Sequence, residues 1–295
     1  MAVTGAAPVE KLVTGTRPGR TLAERFVAGD TLDDAVIVTK ALNSDGFLVS
    51  LDLLGEEVHD RVTAEAATEE YLECLDRIGS DGLDANISVK PTQLGLAIDE
   101  NLAMGAIERL GERALAHGTT VTIDMEDSRY TEATVRLFEK GQAAQGNFGV
   151  AIQSCMRRTP SDLDRIMPLG GHIRLCKGAY LEPPEVAFTS GDAVDEAYAA
   201  LLETLMSSPT TKPAIATHDG ELVDLARRLA RSRRDPFEFQ MLYGVRPEMQ
   251  RRLLAEGFPL RIYLPFGSQW YPYLTRRLAE RPSNAWFFAR AVFGS

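Results

Sequence analysis

The sequence predicts an α/β fold, a (β/α)8 barrel of TIM type, and three observations carry that reading. Short β-branched runs alternate with longer amphipathic ones in eight successive units, and such alternation implies parallel strands. No linker rich in Pro, Gly or Ser divides the chain, and no internal repeat is present. No GxGxxG follows the first strand, where a doubly wound dinucleotide fold would carry it. A chain of 295 residues, 44% hydrophobic and 25% charged, suits one globular barrel.

Residues 1–45 read as a leader with a helical lead-in, and 46–295 as the barrel. The opening MAVTGAAPVEKLVTGTRPGR lacks the apolar core of a signal peptide. Strand one is expected over 47–53 (FLVSLDL) and its helix over 65–78. Strand two, 87–90, leads to a helix over 101–117, where Ile107, Leu110 and Ala114 recur at helical spacing. Asp99 or Asn101 can cap that helix, and Gly118 lies just past its end. Strands three (121–126), four (150–154) and five (173–177) precede helices over 132–145, 161–167 and 192–206. Strand six, 214–218, precedes a helix over 221–231. Strand seven, 237–243, precedes one over 247–256, with Pro247 at a first helical position and Gly257 beyond the end. Strand eight, 261–265, feeds a final helix over 271–281 that would lie over the barrel mouth.

Composition narrows the function. Forty-two acidic against 32 basic residues give a formal charge of −10, which offers no footprint for nucleic acid. Cys74, Cys155 and Cys176 form no CxxC pair, so a reducing, cytoplasmic setting is expected, with the strand residues Cys155 and Cys176 as structural thiols. The four histidines show no HxH or HExxH spacing, so no metal is expected, and no GxSxG marks a serine nucleophile. No apolar run approaches the roughly 20 residues of a membrane span, although a peripheral membrane contact stays open.

Alternation within the strands is more specific, because successive side chains face opposite sides. Ile87 and Val89 share one face and Ser88 and Lys90 the other; Val121 and Ile123 oppose Thr122 and Asp124; Gln153 opposes Ile152. His172, Arg174 and Cys176 oppose Ile173 and Leu175; Glu238 and Gln240 oppose Phe239 and Met241; Arg261 and Tyr263 oppose Ile262 and Leu264. With the apolar set under the helices, the polar set lines the interior. That set holds three cations (Lys90, Arg174, Arg261) against the carboxylates Asp124 and Glu238, a tilt that favours an anionic or zwitterionic guest. Arg276 and Arg277, one helical turn beyond Tyr273, would add two guanidinium forks beside Lys90 as a carboxylate clamp. The rival is a Schiff-base aldolase on Lys90, its pKa lowered by the neighbouring arginines. A non-catalytic amino-acid-binding barrel is the third reading.

SVKPTQLG, TIDMEDS, QSCMRRT, IRLCKGAYLEP, ATHD, FEFQMLYG, RIYLPFG and YLTRRL occur in that order. Together they resemble the proline dehydrogenase family, of the small single-activity bacterial type, over about residues 86–290. The resemblance implies a distorted (β/α)8 barrel that oxidises L-proline to Δ1-pyrroline-5-carboxylate. Hydride would pass to flavin N5 of FAD and the electrons to a membrane quinone. It implies that Lys90, Arg276 and Arg277 hold the proline carboxylate, and that Asp124, counted with Arg174 as catalytic, braces them through Arg277. Tyr263 would lie against the proline ring and disfavour 4-hydroxyproline, with Tyr180, Ala179 and Leu242 as further pocket wall. Gln153, Arg174, Lys177, Gly178, Ala179, Thr217, His218 and the backbone around Met125 would hold the flavin, Arg174 near N5 as a catalytic residue. Pro91 directly after Lys90, and Cys176 where many relatives carry valine, are departures that touch no charged contact. A cytoplasmic protein, peripheral on the inner face of the membrane, is expected.

Overall fold

The computed structural model describes residues 24–271 and residue 273. Helix α1 (Leu32–Ser44) precedes strand β1 (Leu48–Leu53). Then follow α2 (Arg61–Asp81), β2 (Ala85–Val89), α3 (Glu100–Ala116), β3 (Val121–Ile123), α4 (Thr131–Gln145) and β4 (Phe148–Gln153). The short α5 (Thr159–Ile166) and a 3-10 turn lead to β5 (His172–Cys176), α6 (Gly191–Ser207) and β6 (Lys212–Ala216). Helix α7 (Gly220–Ala230), β7 (Glu238–Leu242), α8 (Pro247–Ala255) and β8 (Leu260–Phe266) complete the order. All eight strands pair in parallel, and β8 pairs with β1, so the sheet closes in chain order as the sequence predicts.

Local chemistry sets the helix ends. Asp99 caps α3 by accepting from Asn101 N–H, and Pro247 opens α8; a carboxylate at a helix start satisfies a donor with no partner inside the helix. Thr31 and Asp34 form a reciprocal capping box on α1.

The apolar face of each strand packs outward against the helices. Val49, Leu51, Ile87, Val121, Ile123 and Ile173 are wholly buried, together with Leu75, Ile107, Leu110 and Phe138 of the helices. At about 1.5–3 kcal/mol for each such side chain, this annular layer dominates the stabilisation. The barrel interior is polar instead. Small residues make room for it: a Cβ on Gly149 of β4 would come 2.1 Å from His172 Nε2 of the neighbouring strand. Gly149→Ala is therefore expected to cost roughly 1–3 kcal/mol by overpacking, measurable as a lower urea midpoint.

Several boundaries differ from the sequence expectation. Strand β3 stops at Ile123, three residues early, and β4 begins at Phe148, two residues early. Strand β6 runs from Lys212 to Ala216, not to His218. Cys155 lies in the turn after β4 rather than within the strand. Ahead of α1, Phe26 and Val27 pack with Leu54, Trp270, Tyr271 and Tyr273, so residues of the lead-in help to cover the ends of β1 and β8. Residues 274–281 of the expected last helix, with Arg276 and Arg277, lie outside the described residues, as does the leader through residue 23.

Candidate active site

The inward side chains form a connected column from the floor of the barrel to its mouth. At the floor, Arg261 donates to both oxygens of Glu238 (2.6 and 3.1 Å) and to the carbonyl of Val49 (2.9 Å). His172 Nε2 lies 2.6 Å from Thr122 Oγ1, and burial pushes its pKa down to about 3, so it is a neutral packing residue. Gln240 bridges the layers: its amide donates to Glu238 and its carbonyl accepts from Arg174 Nε at 2.5 Å.

Arg174, only 3% exposed, occupies the middle layer. Its Nη1 donates to Ser88 Oγ (2.8 Å) and Asp124 Oδ1 (2.5 Å), its Nη2 to Ser50 Oγ (3.4 Å), and its guanidinium lies 5.1 Å over the Tyr263 ring. Asp124, just past β3, also accepts from Ser88 (2.8 Å) and from the Tyr263 hydroxyl (2.7 Å). Burial first, and Asp124 second, hold the Tyr263 phenol well above its ordinary pKa, so it stays an O–H donor.

Lys90 follows β2 at the mouth. Its Nζ is 2.5 Å from Asp52 Oδ1 and 3.9 Å from Asp124 Oδ2. Burial disfavours the ammonium, yet Asp52 and Asp124 outweigh it and hold the pKa above the usual lysine value. Two carboxylates at 2.5 and 3.9 Å stabilise the ammonium, the opposite of what a Schiff-base lysine requires. Asp52 itself is 1% exposed, and burial raises its pKa in turn; facing an ammonium at 2.5 Å, we assign it as the anion of the pair. The sequence reading missed Asp52, although the alternation of LVSLDL puts Ser50 and Asp52 inward. With Asp52 counted, the described interior holds three cations and three carboxylates, so the predicted cationic tilt is absent among the described residues.

The remaining predicted residues line the same end of the barrel, past β4 to β7. Gln153 Nε2 donates to the carbonyl of Glu126 (2.7 Å), next to Met125. Lys177 meets Asp195 at 2.5 Å and Asp219 at 2.9 Å, and these carboxylates outweigh burial to raise its pKa. Thr217 Oγ1 accepts from Asp219 N–H (3.1 Å), and His218 Nε2 accepts from the N–H of Leu242 (3.1 Å). Gly178 has a φ of +123°, and a Cβ there would meet Cys155 Sγ at 2.3 Å, so only glycine fits. Ala179 is exposed and Tyr180 half-buried on the loop that follows. Asp124 finds its described partners in Lys90, Arg174, Ser88 and Tyr263; its expected contact with Arg277 lies outside the described residues. Among those residues no group of three or more His, Cys, Asp or Glu is placed to hold a metal ion.

Fold and site together define a parallel (β/α)8 barrel whose charged, hydrogen-bonded interior opens at the C-terminal ends of the strands, the face where barrel enzymes carry out their chemistry. The chain belongs to the proline dehydrogenase family: the family profile described as Proline dehydrogenase matches residues 36–290. It is 36% identical to Proline dehydrogenase 1 of Bacillus subtilis (strain 168), over 94% of this chain and 92% of that protein. It is 35% identical to Proline dehydrogenase of Deinococcus radiodurans, over 92% and 90%. The barrel also resembles proline utilization A of Bdellovibrio bacteriovorus inactivated by N-propargylglycine, with a TM-score of 0.83 at 22% identity. That likeness covers 89% of this chain but about a third, 33%, of the longer one.

Proposed function

We propose that this protein binds FAD, oxidises L-proline to Δ1-pyrroline-5-carboxylate and passes the electrons to a membrane quinone. The observation that carries the reading is the connected set Lys90, Asp124, Arg174 and Tyr263, running from the middle layer of the barrel to its mouth, within a chain that belongs to the proline dehydrogenase family. The donor set suits a flavin dinucleotide: Arg174 and Lys177 are cations for anionic groups, and Gln153, Thr217 and His218 offer neutral polar contacts. Gly178 and Ala179, with the backbone at Met125, leave close approach free of bulky side chains. When bound, FAD supplies a two-electron acceptor for hydride.

The protein's own groups do the rest. Lys90, kept protonated by two carboxylates, offers its charge to the proline carboxylate, with Arg276 and Arg277 as the other members of the clamp. Asp124 has both oxygens committed, to Ser88 and Arg174 on one side and Tyr263 on the other. It therefore positions those groups, and the proline ammonium loses its proton to water before hydride leaves C5. Tyr263 presents its ring, pinned by the Asp124 bond, to the substrate, with Tyr180 and Leu242 completing the wall. Arg174 would supply a fixed positive charge to stabilise the negative charge that a bound flavin gains on reduction. A cytoplasmic location with peripheral contact at the inner membrane face accords with a lipid-dissolved acceptor. No helix among the described residues is long and apolar enough to cross a membrane.

The test is the visible spectrum of the purified protein, before and after anaerobic addition of proline. Flavin bands that bleach with proline are expected. A colourless protein that cannot be reconstituted with FAD and gives a borohydride-trapped adduct at Lys90 would overturn the reading in favour of an aldolase. In the same assay, Tyr263→Ser is expected to raise turnover of 4-hydroxyproline relative to proline; an unchanged ratio would place Tyr263 away from the ring.

A further inference from the structure

We propose that Glu126 is a positioning residue for proline oxidation: its carboxylate clasps Thr92 and thereby fixes Lys90 against the Asp124–Met125 wall. The proposal rests on the proline-oxidising reading of the site.

The need for a clasp follows from the sequence. The last main-chain bond between the second and third strands runs from Asp124 N–H to the carbonyl of Val89 (2.9 Å). Beyond it comes Pro91, which has no N–H to extend the seam. Glu126 takes over with its side chain. Its Oε2 accepts from Thr92 N–H at 2.8 Å and its Oε1 from the Thr92 hydroxyl at 2.6 Å. Thr92 passes the link on, since its Oγ1 accepts from Glu57 N–H (2.9 Å) and its carbonyl from Val58 N–H (3.3 Å). The carbonyl of Glu126 holds Gln153 (2.7 Å). One buried residue, Glu126, 3% exposed, thus links the loops that follow β1 and β2 through its carboxylate and the last residue of β4 through its main-chain carbonyl.

What this fixes is a distance. Lys90 stands two residues before Thr92, and Asp124 two residues before Glu126, so the clasp holds together the two loop starts from which Nζ and Asp124 Oδ2 approach to 3.9 Å. The clasp is also costly. Burial pushes the Glu126 pKa up to about 7, against the pull of Thr92 and the nearby Lys90, while Glu56 adds to the rise. An apolar pair would close the same seam without desolvating a carboxylate, so the geometry it imposes is the reason to keep it.

The experiment compares Glu126→Gln, Thr92→Val, their double variant and Thr92→Ser as FAD-loaded proteins, with proline and an artificial electron acceptor. Glutamine can accept only one of the two bonds, and valine removes the hydroxyl while keeping shape. Each is expected to raise KM for proline about tenfold, with kcat changed less than about threefold and flavin content unchanged, a spread set by the usual worth of such bonds. The double variant should be no worse than either single one, and Thr92→Ser should restore the wild-type KM. A folded Glu126→Gln or Thr92→Val protein with KM within about twofold of wild type overturns the clasp, as do additive effects in the double variant. If Glu126→Gln does not fold, the Thr92 pair decides alone by the same criterion. Failure of the proline reading is separate, because wild-type protein would then not oxidise proline.

Discussion

Lys90→Met is expected to destabilise the fold by about 3–5 kcal/mol near pH 8 and to weaken proline binding by about 2–5 kcal/mol. The first effect comes from Asp52, which lies 2.5 Å from Nζ and is 1% exposed. Without the ammonium its charge is stranded in the barrel. The linkage gives the sign. A buried carboxyl with no cation beside it holds its proton to higher pH than in the unfolded chain, so the native state binds the extra proton. The loss is therefore smallest at low pH and grows as pH rises. Urea unfolding at pH 5 and pH 8 measures this directly. Adding Asp52→Asn removes the stranded charge and should restore most of the stability, but none of the proline affinity. A Lys90→Met protein with wild-type stability at pH 8 would show that Asp52 does not depend on Lys90.

The barrel was legible because its two strand faces differ so plainly. Val121 and Ile123 against Thr122 and Asp124 settle which side of β3 meets helices, and the same logic places Arg174, Gln240 and Tyr263 inside. Asp52 follows the same rule in LVSLDL but stood outside the count of interior charges. What alternation cannot supply is the end of a strand. The sequence pattern extends strand three to Glu126, yet β3 stops at Ile123. Past that point the chain turns, and the carboxylate chooses a partner 34 residues away in sequence. No local pattern encodes that pairing; it arises because Pro91 leaves Thr92 N–H as the next available donor. The cationic tilt disappears once Asp52 is counted: Lys90, Arg174 and Arg261 then pair with Asp52, Asp124 and Glu238 respectively.

Glu126 separates stability from function in a way that a pH series can read. Its folded pKa of about 7 lies above the ordinary value of 4.5, with burial as the largest cause. Between those two values the native state carries a proton that the unfolded chain has released, so stability falls as pH rises through this window. Above about pH 7 the full penalty, on the order of 3 kcal/mol, is in force. Glutamine at this position does not titrate. Relative to wild type, Glu126→Gln is therefore expected to gain about 3 kcal/mol on going from pH 4.5 to pH 8, whatever constant offset the lost Thr92 bond imposes. Lys90 and Glu56 face the carboxylate from the loops after β2 and β1, with opposite effects on it, and both remain in the variant. Denaturant midpoints for the two proteins across that range provide the measurement. A difference that stays flat with pH would mean that Glu126 ionises in the fold as it does in the unfolded chain. A rising one, in a variant that binds proline more weakly, identifies a carboxylate that the fold retains at a cost in stability because it holds Lys90 in place.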